Sequence, residues 1–299
     1  MIKQPPYLKK GDKIALVCPA KKLPKRIDHA IALLESWGLE VIIGESVYAS
    51  HHQFAGTDAL RTKDIQRFLD DPSIKAIISG RGGYGTIRII DDLDFTAFNK
   101  NPKWVVGFSD ITVLLSHLVA QCNTQCMHAQ MPYTFEESTP EALLSLQKAL
   151  FGEKQSYEFE SAFKNRAGEA TGILIGGNLT LLAMLQGSVS EMDFQGKILF
   201  IEDVGEHEYS IDRMLRMLKR AGKLSHLKGL IVGAFNEIED EKISFGQTVD
   251  EVIWDIVKEY DFPVCFNFPT GHINNNLSMV LGAGVNLKIE TNNVQFKYL

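Results

Sequence analysis

The chain has 299 residues, 45% hydrophobic and 23% charged, which excludes a disordered or low-complexity polypeptide and suggests two domains rather than one. With 31 basic against 37 acidic side chains the formal net charge is −6, and no Lys/Arg run is interleaved with aromatics, which argues against nucleic acid as a partner. No apolar run approaches a membrane span, and Cys18, Cys122, Cys126 and Cys265 are scattered without Cys-x-x-Cys spacing, so a cytoplasmic protein with reduced, buried thiols is expected.

Lys13 to Cys18 reads as a first strand; the apolar segment Ile14 to Ala20 is too short, and follows Gly11-Asp12 too closely, to read as a signal sequence. Pro24 fits the first turn of a helix whose Ile27, Ile31 and Leu34 share a face and which stops at Gly38. Leu39 to Ile43 is a second strand, Asp58 to Leu69 a polar helix, and Ile74 to Ser79 a third strand. Trp104 to Gly107 is a fourth, followed by a helix from Ser109 with Ile111, Leu114, Leu115 and Leu118 at helical spacing, and Thr124 to Ala129 a fifth. This alternation predicts a parallel sheet covered on both faces, with a site at the carboxyl ends of its strands.

The pattern changes between Pro132 and Gly168, where a helix to about Leu150 is followed by a polar extended segment. The expected division is an N-terminal α/β domain over 1–135, a linker over 136–168 and a C-terminal domain over 169–299. In the second half the expected strands are Thr171 to Ile175, Lys197 to Ile201, Gly229 to Ala234, Val264 to Phe268, Met279 to Leu281 and Val285 to Ile289. Helices are expected over Leu179 to Leu185, Ser210 to Ala221 and Val249 to Tyr260.

Four stretches carry groups suited to chemistry. Ser109 stands where an apolar strand turns into a helix; it either caps the helix or presents a hydroxyl beside unpaired backbone N–H groups that would favour an oxyanion. The Gly-x-Ser-x-Gly elbow is absent. Ser79-Gly80-Arg81-Gly82-Gly83-Tyr84-Gly85 lacks both phosphate-loop spacings, but its glycines let backbone approach a ligand and its arginine suits a carboxylate. Glu202 follows the apolar run Phe200-Ile201, and His272 lies in a turn after a strand. Ser109, Glu202 and His272 all fall at strand ends, and a serine nucleophile needs an imidazole base whose tautomer a carboxylate fixes. A metal site has little support, because His51-His52, His117, His128 and His207-Glu208 lack the spacing of ligand pairs.

Together these stretches resemble the LD-carboxypeptidase family, the muramoyltetrapeptide carboxypeptidases, whose relatives include the microcin C immunity peptidase. The resemblance spans nearly the whole chain: Phe54-Ala55-Gly56-Thr57-Asp58 with Arg61, Arg81 to Gly85, Gly107 to Thr112, Gly176 to Leu179, Glu202-Asp203 and Gly271-His272. It implies a flavodoxin-like parallel-sheet N-terminal domain and a C-terminal swivelling β/β/α domain with the site between them, commonly as a homodimer. It places a catalytic triad on Ser109, Glu202 and His272, with the Asp110 amide and one from Gly82 or Gly83 as oxyanion donors and Arg81 a candidate for the substrate carboxylate. The implied reaction needs no metal or organic cofactor and releases terminal D-alanine from a cell-wall muropeptide, the tetrapeptide, in peptidoglycan recycling. The alternatives are a related peptidase or amidase acting on peptidyl or aminoacyl nucleotides, and a non-catalytic small-ligand binder. Ala129 departs from the family pattern, which leads one to expect glycine.

Overall fold

The computed structural model describes residues 2–161, 163, 165–238 and 243–299. Strands β1 (Lys13–Val17), β2 (Glu40–Ile43), β3 (Ile74–Ser79), β4 (Trp104–Gly107) and β5 (Cys126–His128) alternate with helices α1 (Asp28–Ser36), α2 (Asp58–Asp70), α3 (Thr96–Lys100) and α4 (Thr112–Ala120). These strands are mutually parallel. Except in the edge strand β2, both faces are buried, which explains the apolar runs of the other four. Ile14, Leu16, Ile78 and Val106 pack with Leu34 of α1 and with Ile27, which precedes that helix because it starts at Asp28 and not near Pro24, while Ala15, Val17, Ile77 and Val105 face Ile65, Phe68 and Leu118.

Helix α5 (Pro140–Phe151) is started by the Thr139 side chain, which accepts from Ala142 N, and stopped by Gly152 at φ 77°. The second half comprises β6 (Ser156–Glu160), β7 (Gly168–Asn178), α6 (Leu179–Met184), β8 (Lys197–Val204), α7 (Glu208–Arg220), β9 (Gly229–Asn236), α8 (Val249–Val257), β10 (Val264–Cys265), β11 (Met279–Leu281), β12 (Gly284–Glu290) and β13 (Asn293–Tyr298). Its sheet runs β10-β9-β8-β7-β12-β13-β6. The β7 to β10 side is parallel and the β12, β13, β6 side antiparallel.

The structure departs from the sequence reading at informative places. Within 136–168, the segment expected to be a linker, β6 pairs with β13 as an edge of the second sheet, burying Tyr157 and leaving its neighbours out. Ala162 and Lys164 of that segment lie outside the described residues. Strand β13 was not expected; like β6 it is short and alternates, with Val294 and Phe296 inward. Strand β10 stops at Cys265, shortly before Asn267 turns through φ 55°. The largest topological difference is β11, which leaves the second half and pairs antiparallel with β5 at the edge of the first sheet, whose order is β11-β5-β4-β3-β1-β2.

Candidate active site

The turn after β4 brings out Ser109. Phe108 is extended, and Ser109 then adopts φ 62°, a left-handed conformation unusual for a side-chain-bearing residue, before a single 3₁₀ turn (Ser109–Ile111) leads into α4. A helix cap has extended backbone and a side chain accepting from the helix; Ser109 has neither, so the capping alternative fails. Its neighbour Asp110 turns inward and accepts from Thr86 N at 2.8 Å, tying the serine turn to the segment that follows the glycine-rich loop. Burial raises the Asp110 carboxyl above its usual range despite the Thr86 and Gly85 hydrogen bonds.

The loop Arg81 to Gly85 lies directly against that turn. A β-carbon on Gly82 would stand 2.9 Å from Ser109 Cβ and 3.2 Å from Oγ, so only glycine leaves the serine its place. Arg61, fully buried, holds the loop from below through Pro19 O, Gly85 O and Asp58. Arg81 donates to Lys22 O at 2.8 Å and lies over the Tyr133 ring at 4.7 Å.

The second half supplies Glu202 and His272. Strand β8 runs past its expected end, so Glu202 is still in the strand and fully buried, and its Oε2 lies 2.7 Å from His272 Nδ1. Gly271, at φ 115°, permits this approach, since a β-carbon there would lie 3.0 Å from Glu202 Cβ. With Nδ1 donating to the carboxylate, Nε2 is left as an acceptor. Burial alone would lower the His272 pKa, but the charge and hydrogen bond of Glu202 outweigh it and hold it above the ordinary imidazole value. The neighbouring Asp203, buried beside Glu202, is raised to about 6 even though Asn178, Thr180 and Val204 donate to it.

The His272 loop is fastened to both halves. Asn236 Nδ2 donates to His272 O at 2.6 Å, while from the first half Gln130 Nε2 reaches Ile273 O and Asn274 O at 3.1 Å each. Ser109 and His272 thus line one cleft of about 660 Å³, together with Arg81, Gly82, Gly83, Lys21, Tyr133 and Glu237. Among the described residues no hydrogen bond joins Ser109 to His272, and no group of three or more His, Cys, Asp or Glu side chains is arranged to hold a metal ion. Every sequence-predicted site residue therefore lies at this cleft or directly beneath it. Gln130, Asn236 and Glu237 were missed, since isolated polar residues near strand ends carry no spacing signal. Ala129 is buried without a left-handed φ, so alanine fits where glycine was expected.

A serine in strained backbone, opposite an imidazole bonded to a buried carboxylate, across a cleft between two α/β halves, is the set of groups found in serine hydrolases. The chain belongs to the LD-carboxypeptidase family: the profile of that family's N-terminal domain matches residues 14–129 and that of its C-terminal domain residues 171–287. It is similar to a probable murein peptide carboxypeptidase of Bacillus subtilis, 34% identical, covering 94% of this chain and 90% of that one. A murein tetrapeptide carboxypeptidase of Pseudomonas aeruginosa is 28% identical over 87% of this chain and 88% of its own. Among solved structures, the muramoyltetrapeptide carboxypeptidase of Oxalobacter formigenes superposes with TM-score 0.87 at 29% identity, covering 96% of this chain and 98% of that one. MccF in complex with glutamyl sulfamoyl guanosine shares the fold at TM-score 0.87 and 21% identity, covering 98% of each chain.

Proposed function

We propose that this family member is a serine LD-carboxypeptidase that releases terminal D-alanine from murein tetrapeptides. The observation that carries the reading is the Glu202–His272 bond at 2.7 Å on the cleft that Ser109 enters in left-handed backbone. Ser109 Oγ attacks the carbonyl before the terminal residue while His272 Nε2 takes its proton. Glu202 fixes the Nδ1–H tautomer and stabilises the imidazolium. Amides of Asp110 and of Gly82 or Gly83 receive the oxyanion. His272 then protonates the departing D-alanine nitrogen, and water, deprotonated by the same imidazole, releases the acyl group from Ser109. Arg81 is proposed to receive the terminal carboxylate, as a cation lining the cleft beside Gly82.

The test is mass spectrometry of the protein incubated with muramyl tetrapeptide, its pentapeptide, its C-terminal amide and an L-alanine-ended analogue. We expect release of one alanine from the free tetrapeptide. The amide should react at least about tenfold more slowly, because buried charge-assisted contacts would be left unpaired. Equal cleavage of all four, or none of the tetrapeptide alongside hydrolysis of an aminoacyl nucleotide, would replace this reading by the nucleotide-peptide one.

A further inference from the structure

Beneath the Glu202–His272 pair lies a set of polar atoms that the reaction above does not use. His128 ends β5, fully buried, with its ring centroid 5.5 Å from that of Phe108 and 4.9 Å from that of Phe200. Its strand neighbours are Gly107, two residues before Ser109, and Met279 of β11. Among the described residues neither ring nitrogen has a hydrogen-bond partner, and the same holds for Glu202 Oε1 and Asn276 Nδ2. Both of those residues are also fully buried.

Four orphan atoms in one place are unusual, because buried polar groups are nearly always paired. Their chemistry is complementary. Glu202 uses Oε2 on His272, and Asn276 uses Oδ1 to accept from Thr270 Oγ1 at 2.9 Å and Gly271 N at 2.8 Å. What remains is one acceptor, Glu202 Oε1, and one donor, Asn276 Nδ2, and both groups act on the His128 ring. A neutral imidazole has one donor and one acceptor and completes the set; an imidazolium would turn a donor on the Asn276 donor. Burial, helped by the neighbouring His272, outweighs the Glu202 charge and the Asn276 hydrogen bond, which favour the charged ring, and the His128 pKa falls to about 4.

We propose that His128 is a positioning residue: as the neutral imidazole it accepts from Asn276 Nδ2 and donates to Glu202 Oε1, directly or through one enclosed water. The buried carboxylate is thereby gripped at both oxygens, and its charge is shared between His128 and His272. Without the His128 N–H the carboxylate would hold a proton on His272 more tightly. The charged groups that set the His272 titration are Glu202, Asp203 and Glu237, and His272 in turn acts on His128.

This inference rests on the proposed roles of Ser109, His272 and Glu202, so its test uses no peptide substrate. The rate of covalent labelling of Ser109 by a fluorophosphonate is measured from about pH 5 to 9 in wild type, His128→Phe, His128→Asn and His128→Gln. We expect His128→Phe to label roughly 10- to 100-fold more slowly, with its acid limb displaced upward by about one pH unit. One of the two amide variants, whose N–H replaces the ring donor, should restore both. Should His128→Phe not fold, ¹⁵N NMR of wild-type histidines decides: His128 keeps one protonated nitrogen from about pH 8 down to pH 5 while His272 titrates. A wild-type limb in folded His128→Phe, or titration of His128 with the exposed histidines, overturns the inference alone. Absence of wild-type labelling overturns the assignment of Ser109, and this inference with it.

Discussion

Glu202 has no solvent to fall back on, so its value to His272 lies in its charge and in the Nδ1–H bond. Glu202→Gln keeps shape and removes charge; the amide can also present N–H to Nδ1 and favour the wrong tautomer. We expect kcat to fall by roughly 10⁴-fold, as for the equivalent change in serine proteases, with KM and thermal stability little altered. A loss below about tenfold in steady-state assays would remove Glu202 from the orienting role. The raised His272 pKa fixes the sign of the pH response. The base must be neutral, so kcat/KM should decline through a pKa above the ordinary imidazole value as pH falls. That decline is not unfolding. A folded pKa above the unfolded one means that this histidine's contribution to stability is complete below the unfolded value and is lost as pH rises through the folded one. Circular dichroism across the acid limb should therefore show an intact fold while activity disappears.

At the scale of elements, the strand-turn units were legible because they rest on local chemistry. Trp104 to Gly107 is apolar and β-branched, Gly107 permits the bend, and the leucines of α4 recur at helical spacing. The left-handed φ of Ser109 was not legible, since nothing in Phe-Ser-Asp announces it, nor was the close approach of the neighbouring loop to its side chain. Gly82 is the contact that matters. Its backbone is not in the left-handed region, so Gly82→Ala strains no dihedral but presses a methyl within 2.9 Å of Ser109 Cβ. Displacing the nucleophile by a fraction of an ångström to an ångström should cost about 10²-fold in labelling rate, with the unfolding midpoint nearly unchanged. Labelling at the wild-type rate would show that the loop yields instead. His128 is visible in the sequence, but spacing offers it only a metal-ligand role, for which no partner stands nearby. Its neighbours Phe108, Phe200, Glu202 and Asn276 come from distant segments, which only the assembled fold brings together.

At the scale of the molecule, the two sheets share one apolar interior: Val17, Leu118, Leu174, Phe200 and Val285 belong to a single buried cluster. Strand β11 adds a covalent reason for unity, because residues 266–278 leave the second sheet and deliver Met279–Leu281 to the first. The sequence placed that strand correctly along the chain but not in its sheet, since three apolar residues carry no record of their partner. We expect one calorimetric unfolding transition whose van't Hoff and calorimetric enthalpies agree; two resolved transitions would contradict a shared interior. Stability should also carry the mark of His128. Its folded pKa of about 4 lies below the unfolded 6.5, so wild type loses stability as pH falls from 6.5 toward 4, by up to about 3 kcal/mol. Asp203, raised from 3.8 to about 6, opposes this over much of the same window. The informative quantity is the difference: between pH 7 and 4.5, folded His128→Phe should lose less stability than wild type in urea titrations. An equal loss would mean that His128 titrates normally.

The crossing of β11 also bears on how such a protein can be recombined. A junction in the loop between α5 and β6 divides the chain near its middle but not the structure, because the edge strand beside β5 is encoded beyond residue 278. A chimera made there would join the serine turn of one parent to a borrowed strand and a His272 loop of the other. Gln130 would then have to bond a foreign Ile273-Asn274 backbone, and His128 a foreign Asn276. Gene shuffling in this family should therefore favour exchanges that carry the segment around 266–281 along with the first half, a linkage between distant codons that no map of sequence domains would suggest.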